Sequence, residues 1–157
     1  MAFSRGGYRT AASTGTLVAF ILVLIFGSPW YQDWVDTGNR GLFLETLAWP
    51  EWTFDDDLPI RDLLAANLRS ILLIVFTYAF ISLMAGSQLS RARGGISSLL
   101  VGWAAYIFAA ALAALLTFFI ATNEAGASSV EAAAGGGRYA LIVGWIVGLA
   151  SMAGRRP

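Results

Sequence analysis

The side chains able to do chemistry in this chain are carboxylates, guanidiniums and hydroxyls, because none of its 157 residues is cysteine or histidine. Without cysteine there are no disulfides, thiolate metal sites or thiol nucleophiles. Without histidine the commonest metal ligand, general base and axial haem ligand is missing. The ten basic residues are all arginine, set against ten acids. The densest polar constellation is Asp55-Asp56-Asp57. Three adjacent carboxylates can offer hard oxygen ligands to calcium or magnesium, but the glycine and the distal bidentate glutamate of an EF-hand loop are absent. A helix cap beside a solvated acidic loop accounts for the same residues, and any cation held there should be held weakly. No catalytic, cofactor-binding or metal-ligating residue is predicted.

The charges are sorted along the chain. Every acid falls within residues 32–68 or 123–138, accompanied by Arg40, Arg61, Arg69 and Arg138. The N-terminus, residues 87–95 and the C-terminus hold Arg5, Arg9, Arg91, Arg93, Arg155 and Arg156 and no acid. A net charge of zero thus hides two opposed faces. With 57% hydrophobic and 13% charged residues, the composition is that of a membrane protein. The arginine bias predicts four spans in the plasma (inner) membrane, with both termini cytoplasmic and the acidic loop outside.

The elements that must carry these charges are read as an all-α, integral membrane four-helix bundle in a single domain covering 1–157. Its spans are expected at about 12–31, 63–85, 96–122 and 139–154. An outer acidic, Trp-rich loop, 32–62, joins the first two. Arg5 and Arg9 before Leu17 to Phe26 look like a secretory signal, but no small-residue cleavage pair follows, which predicts an uncleaved signal-anchor. Gly27, Ser28 and Pro29 should weaken the first span near its outer end, where Trp30, Tyr31 and Trp34 suit an interfacial belt. Phe43, Leu44, Leu47 and Ala48 suit one face of a short helix ended by Pro50. Asp56 or Asp57 should cap the second span, with Pro59 in its first turn and Asp62 favourable at the helix dipole. The third span, Ile96 to Thr122, should run roughly 40 Å with small alanines for close packing. Residues 123–138, ending in Gly135-Gly136-Gly137, read as a flexible connection.

Several residues have both a plain and a sharper reading. Arg69 lies two residues before the apolar core of its span and can snorkel or pair locally, or meet a charge on another subunit. Gly144 and Gly148 form a GxxxG that Ala140 extends by a turn. The stripe can pack against the alanine face of the third span or against a partner. Arg91, Arg93, Arg155 and Arg156 set topology and can also hold anionic lipid such as cardiolipin. Trp30, Trp34, Phe43, Trp49 and Trp52, interleaved with Asp55, Asp56 and Asp57, are the candidate partner interface, since exposed aromatics with charge suit docking. Nothing suggests nucleic-acid binding.

No span has an acid in its apolar core, so proton relays and most transport mechanisms lack their groups. A small homo-oligomeric channel or transporter component, with Thr77, Tyr78, Ser82 and Thr117 lining a pore, is the alternative to a structural or assembly subunit. Met1-Ala2-Phe3-Ser4-Arg5-Gly6-Gly7-Tyr8-Arg9-Thr10, Gly27-Ser28-Pro29-Trp30-Tyr31-Gln32-Asp33-Trp34 and Leu47-Ala48-Trp49-Pro50-Glu51-Trp52 carry a resemblance. Through them the chain resembles actinobacterial respiratory supercomplex associated factors, small accessory membrane subunits of the mycobacterial cytochrome bcc–aa3 oxidase supercomplex. The resemblance implies a non-catalytic subunit of the electron-transport chain, with no cofactor of its own and with haem and copper only in its partner subunits.

Overall fold

A computed structural model describes residues 5–37, 47, 49–55, 57–88, 95–121 and 128–154. It is all-α, with five helices and no strand among the described residues: α1 (Arg5–Phe26), α2 (Pro29–Thr37), α3 (Ile60–Gln88), α4 (Gly95–Phe118) and α5 (Ser129–Ala153). Three of these, α3, α4 and α5, are long and apolar enough to cross a membrane. A fourth crossing results if α1 and α2, bent by 60° at their junction, count as one span. The chain is a multi-pass membrane protein.

Four helices close a ring in which α1 packs on α3, α3 on α4, α4 on α5, and α5 back on α1. The helical repeat explains which faces turn inward. Ala12, Ala19, Leu22 and Val23 of α1 are buried, while Leu17, Ile21, Leu24 and Ile25 are exposed. The α4–α5 seam is the most extensive. It is built from Gly102, Ala105, Ala109 and Ala113 against Gly136, Ala140, Val143 and Val147, all buried at helical spacing. Buried Thr77, Thr117 and Ser151 each donate to the carbonyl four residues back, at 2.6, 2.9 and 2.9 Å, so their hydroxyls are satisfied without a partner helix. Thr77 and Thr117 are buried, Ser82 is half-buried and Tyr78 is exposed.

The fourth long helix begins well before residue 139, which corrects the reading of 123–138 as a flexible connection. Ser128 caps it: its hydroxyl accepts from Glu131 N at 3.2 Å, and the Glu131 carboxylate accepts from Ser128 N at 2.8 Å. This capping box starts the helix at Ser129, and Gly135 and Gly136 are buried within it. At the other boundary α4 closes at Phe118. There Ile120 N and Ala121 N both bond to Thr117 O, short of the expected end at Thr122, which lies outside the described residues.

Candidate functional site

The site is the end of the bundle where α1 stops. Gly27 breaks the helix, and a span broken at a membrane surface must satisfy the carbonyls it frees. Here three carbonyls at the break have donors from outside α1. Ser28 Oγ reaches Ile25 O at 2.8 Å, Gln32 Nε2 reaches Phe26 O at 2.9 Å, and Trp52 N reaches Gly27 O at 3.0 Å. Gly27 is required by close approach, since a Cβ would lie 2.8 Å from Trp52 Cδ1 and 2.6 Å from Val23 O. The break also starts a helix where a loop was expected. Ser28 is the N-cap, its Oγ accepting from Tyr31 N at 3.3 Å, and Pro29 takes the first helical position, which has no use for an N–H.

Residues 49–55 form an irregular strap tied across the same end. Gln32 Nε2 also bonds Pro50 O at 3.2 Å. From α3, Ser70 Oγ donates to Glu51 O at 2.9 Å, and Asn67 Nδ2 donates to Thr53 O at 2.8 Å and Leu63 O at 3.0 Å. Pro50, within the strap, is fully buried. With Arg69, Leu73, Ala110, Ala113 and Tyr139 it lines a crevice too narrow for a water molecule. The strap thus seals the end of the bundle.

Beneath it the aromatic rings are continuous. Trp49 lies 5.2 Å from Phe26, 5.2 Å from Tyr31 and 5.4 Å from Tyr139, and Tyr31 continues to Trp34 at 5.8 Å. At the inner end Tyr106 and Tyr139 pair their hydroxyls at 2.9 Å, both buried. Each hydroxyl satisfies the other in an apolar interior. Removing one, in Tyr106→Phe or Tyr139→Phe, should cost about 1–3 kcal/mol by orphaning its partner, while the double variant should fall near the wild type. Unfolding midpoints in mixed micelles would show this; a double variant as unstable as the two singles summed would contradict it.

The candidate interface residues divide between two environments. Trp30 is 74% and Trp34 39% exposed. Trp49 and Trp52 instead pack against the core. Asp55 and Asp57 are exposed, and Asp55 Oδ1 accepts from Asp57 N at 3.0 Å. The cap of α3 falls one turn later than expected. Pro59 O accepts from Asp62 N and Leu63 N at 2.9 and 3.1 Å, so Pro59 precedes the first turn and Asp57 does not cap the helix. Phe43, Asp56, Arg91, Arg93, Arg155, Arg156 and the proposed helix at 43–48, apart from buried Leu47, lie outside the described residues. Among the described residues no cluster of three or more acidic side chains could hold a metal.

Ala140, Gly144 and Gly148 lie in the α4–α5 seam. A Cβ on Gly148 would meet Leu99 O at 2.5 Å, and one on Gly144 would meet Tyr106 Cδ1 at 2.9 Å. Trp103 Nε1 donates across the seam to Leu141 O at 3.1 Å. Sequence reasoning missed Gln32, Asn67, Ser70 and the Tyr106–Tyr139 pair. The available signal was an amide or hydroxyl placed next to a helix break or inside an apolar span, where it must find a partner.

The fold and this sealed end define a small polytopic membrane protein in which Ser28, Gln32, Asn67 and Ser70 at that end bond its own backbone. No family model matches the chain, and no curated protein or solved structure does either.

Proposed function

We propose that this chain is a non-catalytic accessory or assembly subunit of a membrane respiratory complex of the cytochrome bcc–aa3 type, stabilising subunit or lipid packing. The observation that carries the reading is how the polar groups at the strapped end are used. Gln32, Asn67 and Ser70 bond backbone carbonyls, leaving large aromatic surface at Trp30 and Phe54, 74% and 80% exposed. A surface of exposed aromatics among acids suits docking better than turnover. The absence of His and Cys leaves redox centres to the partners, and the resemblance to respiratory supercomplex associated factors points the same way. In this reading the termini are cytoplasmic, the acidic strapped end faces outward, and the arginines at the other end meet anionic lipid, including cardiolipin.

Affinity capture from mild-detergent membranes is expected to bring down haem-containing subunits of the bcc and aa3 complexes, with the haem visible in the Soret band. Deletion should reduce supercomplex recovered on native gels more than it reduces turnover of the isolated oxidase. Recovery of the chain alone as an ion-conducting homo-oligomer would replace the accessory reading with a channel.

A further inference from the structure

The helices are in a register that can be read from their contacts. Gly136 abuts Ala110 and Ala114, Gly148 abuts Leu99, and Gly15 abuts Ser151 and Ile81. The rings of Phe26 and Tyr139 are 6.5 Å apart, and Arg69 shares its crevice with Ala110 and Tyr139. One level through the bundle therefore holds Phe26, Arg69, Ala110 and Tyr139. From it α4 and α5 descend about 21–22 Å toward the opposite end, α3 about 28 Å and α1 about 32 Å, at roughly 1.5 Å per residue. The longer two cover a hydrocarbon core of about 30 Å and the shorter two most of it. Beyond the level, α3, α4 and α5 each continue about 12–15 Å.

Three features mark this level as the edge of the hydrocarbon. The irregular strap 49–55 lies there, and lipid does not tolerate exposed irregular backbone. Glu51 is exposed while its carbonyl accepts from Ser70 of α3. Arg138, next to Tyr139, is exposed on the other side of the ring. Yet the helix ends above it are not polar all round. Leu64 of α3, Leu116 of α4, Phe119 and Val130 are exposed, the last two at 68% and 73%, on helices adjacent in the ring. Around them stand exposed Glu51, Asp55, Asp57 and Glu131, against exposed Arg61 and Arg138.

We propose that the ends of α3, α4 and α5 stand clear of the bilayer as a three-helix stub. Its Leu64–Leu116–Phe119–Val130 surface docks a partner protein that is apolar at the centre of its contact and basic at the rim. The acidic border selects that partner's charge, because like charges facing each other across an interface repel and opposite ones steer encounter. The stub's emergence from the bilayer stands by itself. Its docking role rests on the accessory-subunit reading, but not on which complex the subunit serves.

The cysteine-free chain permits a direct test. Phe119→Cys, Val130→Cys and the reference Leu100→Cys, exposed about 15 Å below Ala110 on α4, are made singly in the full chain. They are reconstituted in phosphatidylcholine–phosphatidylglycerol nanodiscs and treated with a membrane-impermeant maleimide. Labelling at 119 and 130 is expected to run at least roughly tenfold faster than at 100, because the bilayer core excludes water and charged reagents. Equal protection at all three positions overturns the stub. In native membranes labelling at 119 and 130 should slow, and it should recover after detergent separates the chain from its partners. Unchanged labelling there overturns the docking role. Phe119→Asp should abolish co-purification of partner protein without lowering the unfolding midpoint; full co-purification by this variant also overturns docking. If wild type captures a membrane partner without haem and Phe119→Asp loses it, the docking surface stands and the respiratory reading fails.

Discussion

Gly136→Ala is expected to destabilise the protein by about 1–3 kcal/mol, as overpacking does, while Gly137→Ala stabilises it by about 0.5–1 kcal/mol through helix propensity. The two glycines are neighbours in the same helix, so propensity alone predicts the same gain for both. Their surroundings differ. A Cβ at Gly136 would lie 2.5 Å from Ala110 O and 2.9 Å from Ala114 Cβ, whereas one at Gly137 meets nothing nearer than Ala111 Cβ at 4.0 Å. The obstacle at Gly136 is the backbone of α4, which can yield only by moving the whole helix. Because the α4–α5 seam is the broadest contact in the bundle, the strain spreads along Gly102, Gly144 and Gly148, which are equally close-packed. Unfolding midpoints in mixed micelles would separate the two variants. Shifts of the same sign and size would mean that the helices do not approach at Gly136 as closely as described.

This pair also shows where the sequence could be read and where it could not. Apolar runs and sorted charges were enough to expect an all-α membrane bundle, because lipid demands long helices and topology follows arginine. The start of α5 was equally present, in Ser128 and Glu131 at capping-box spacing. It was hidden by the three glycines after it, which in solvent loosen a chain but against Ala110 and Ala114 allow two helices to touch. The same competition concealed α2. Ser28-Pro29 is both a break in one helix and a good start for the next, and only the bonds from Trp52 of the strap to Gly27 and from Gln32 of α2 to Phe26 decide that the chain turns by 60° and resumes. Composition could not divide the tryptophans, since an aromatic among acids looks alike whether it faces a partner or seals the bundle. Trp49 and Trp52 are separated from Trp30 by packing that depends on residues far away in the chain.

That division yields the second large expected effect. Trp49→Ala should lower stability by about 3 kcal/mol, the low end for aromatic truncations because the ring is only partly buried. Trp30→Ala should stay within about 0.5 kcal/mol of wild type. Trp49 holds Phe26, Tyr31 and Tyr139 together at 5.2–5.4 Å and lies in the strap that supplies the Trp52 N–H to the Gly27 carbonyl. Without its ring the strap should loosen, exposing residues 49–55 to protease and leaving that carbonyl without its donor at the surface of the bundle. Trp30, 74% exposed, supports nothing comparable among the described residues. Its loss should instead appear as weaker recovery of partner protein from mild detergent. Limited proteolysis, unfolding midpoints and co-purification on the two variants would make the comparison. If Trp49→Ala kept its midpoint and protease resistance but lost its partner, the strap would be a docking element rather than the seal of the bundle. If Trp30→Ala unfolded the protein, α2 would carry stability that its exposure does not explain.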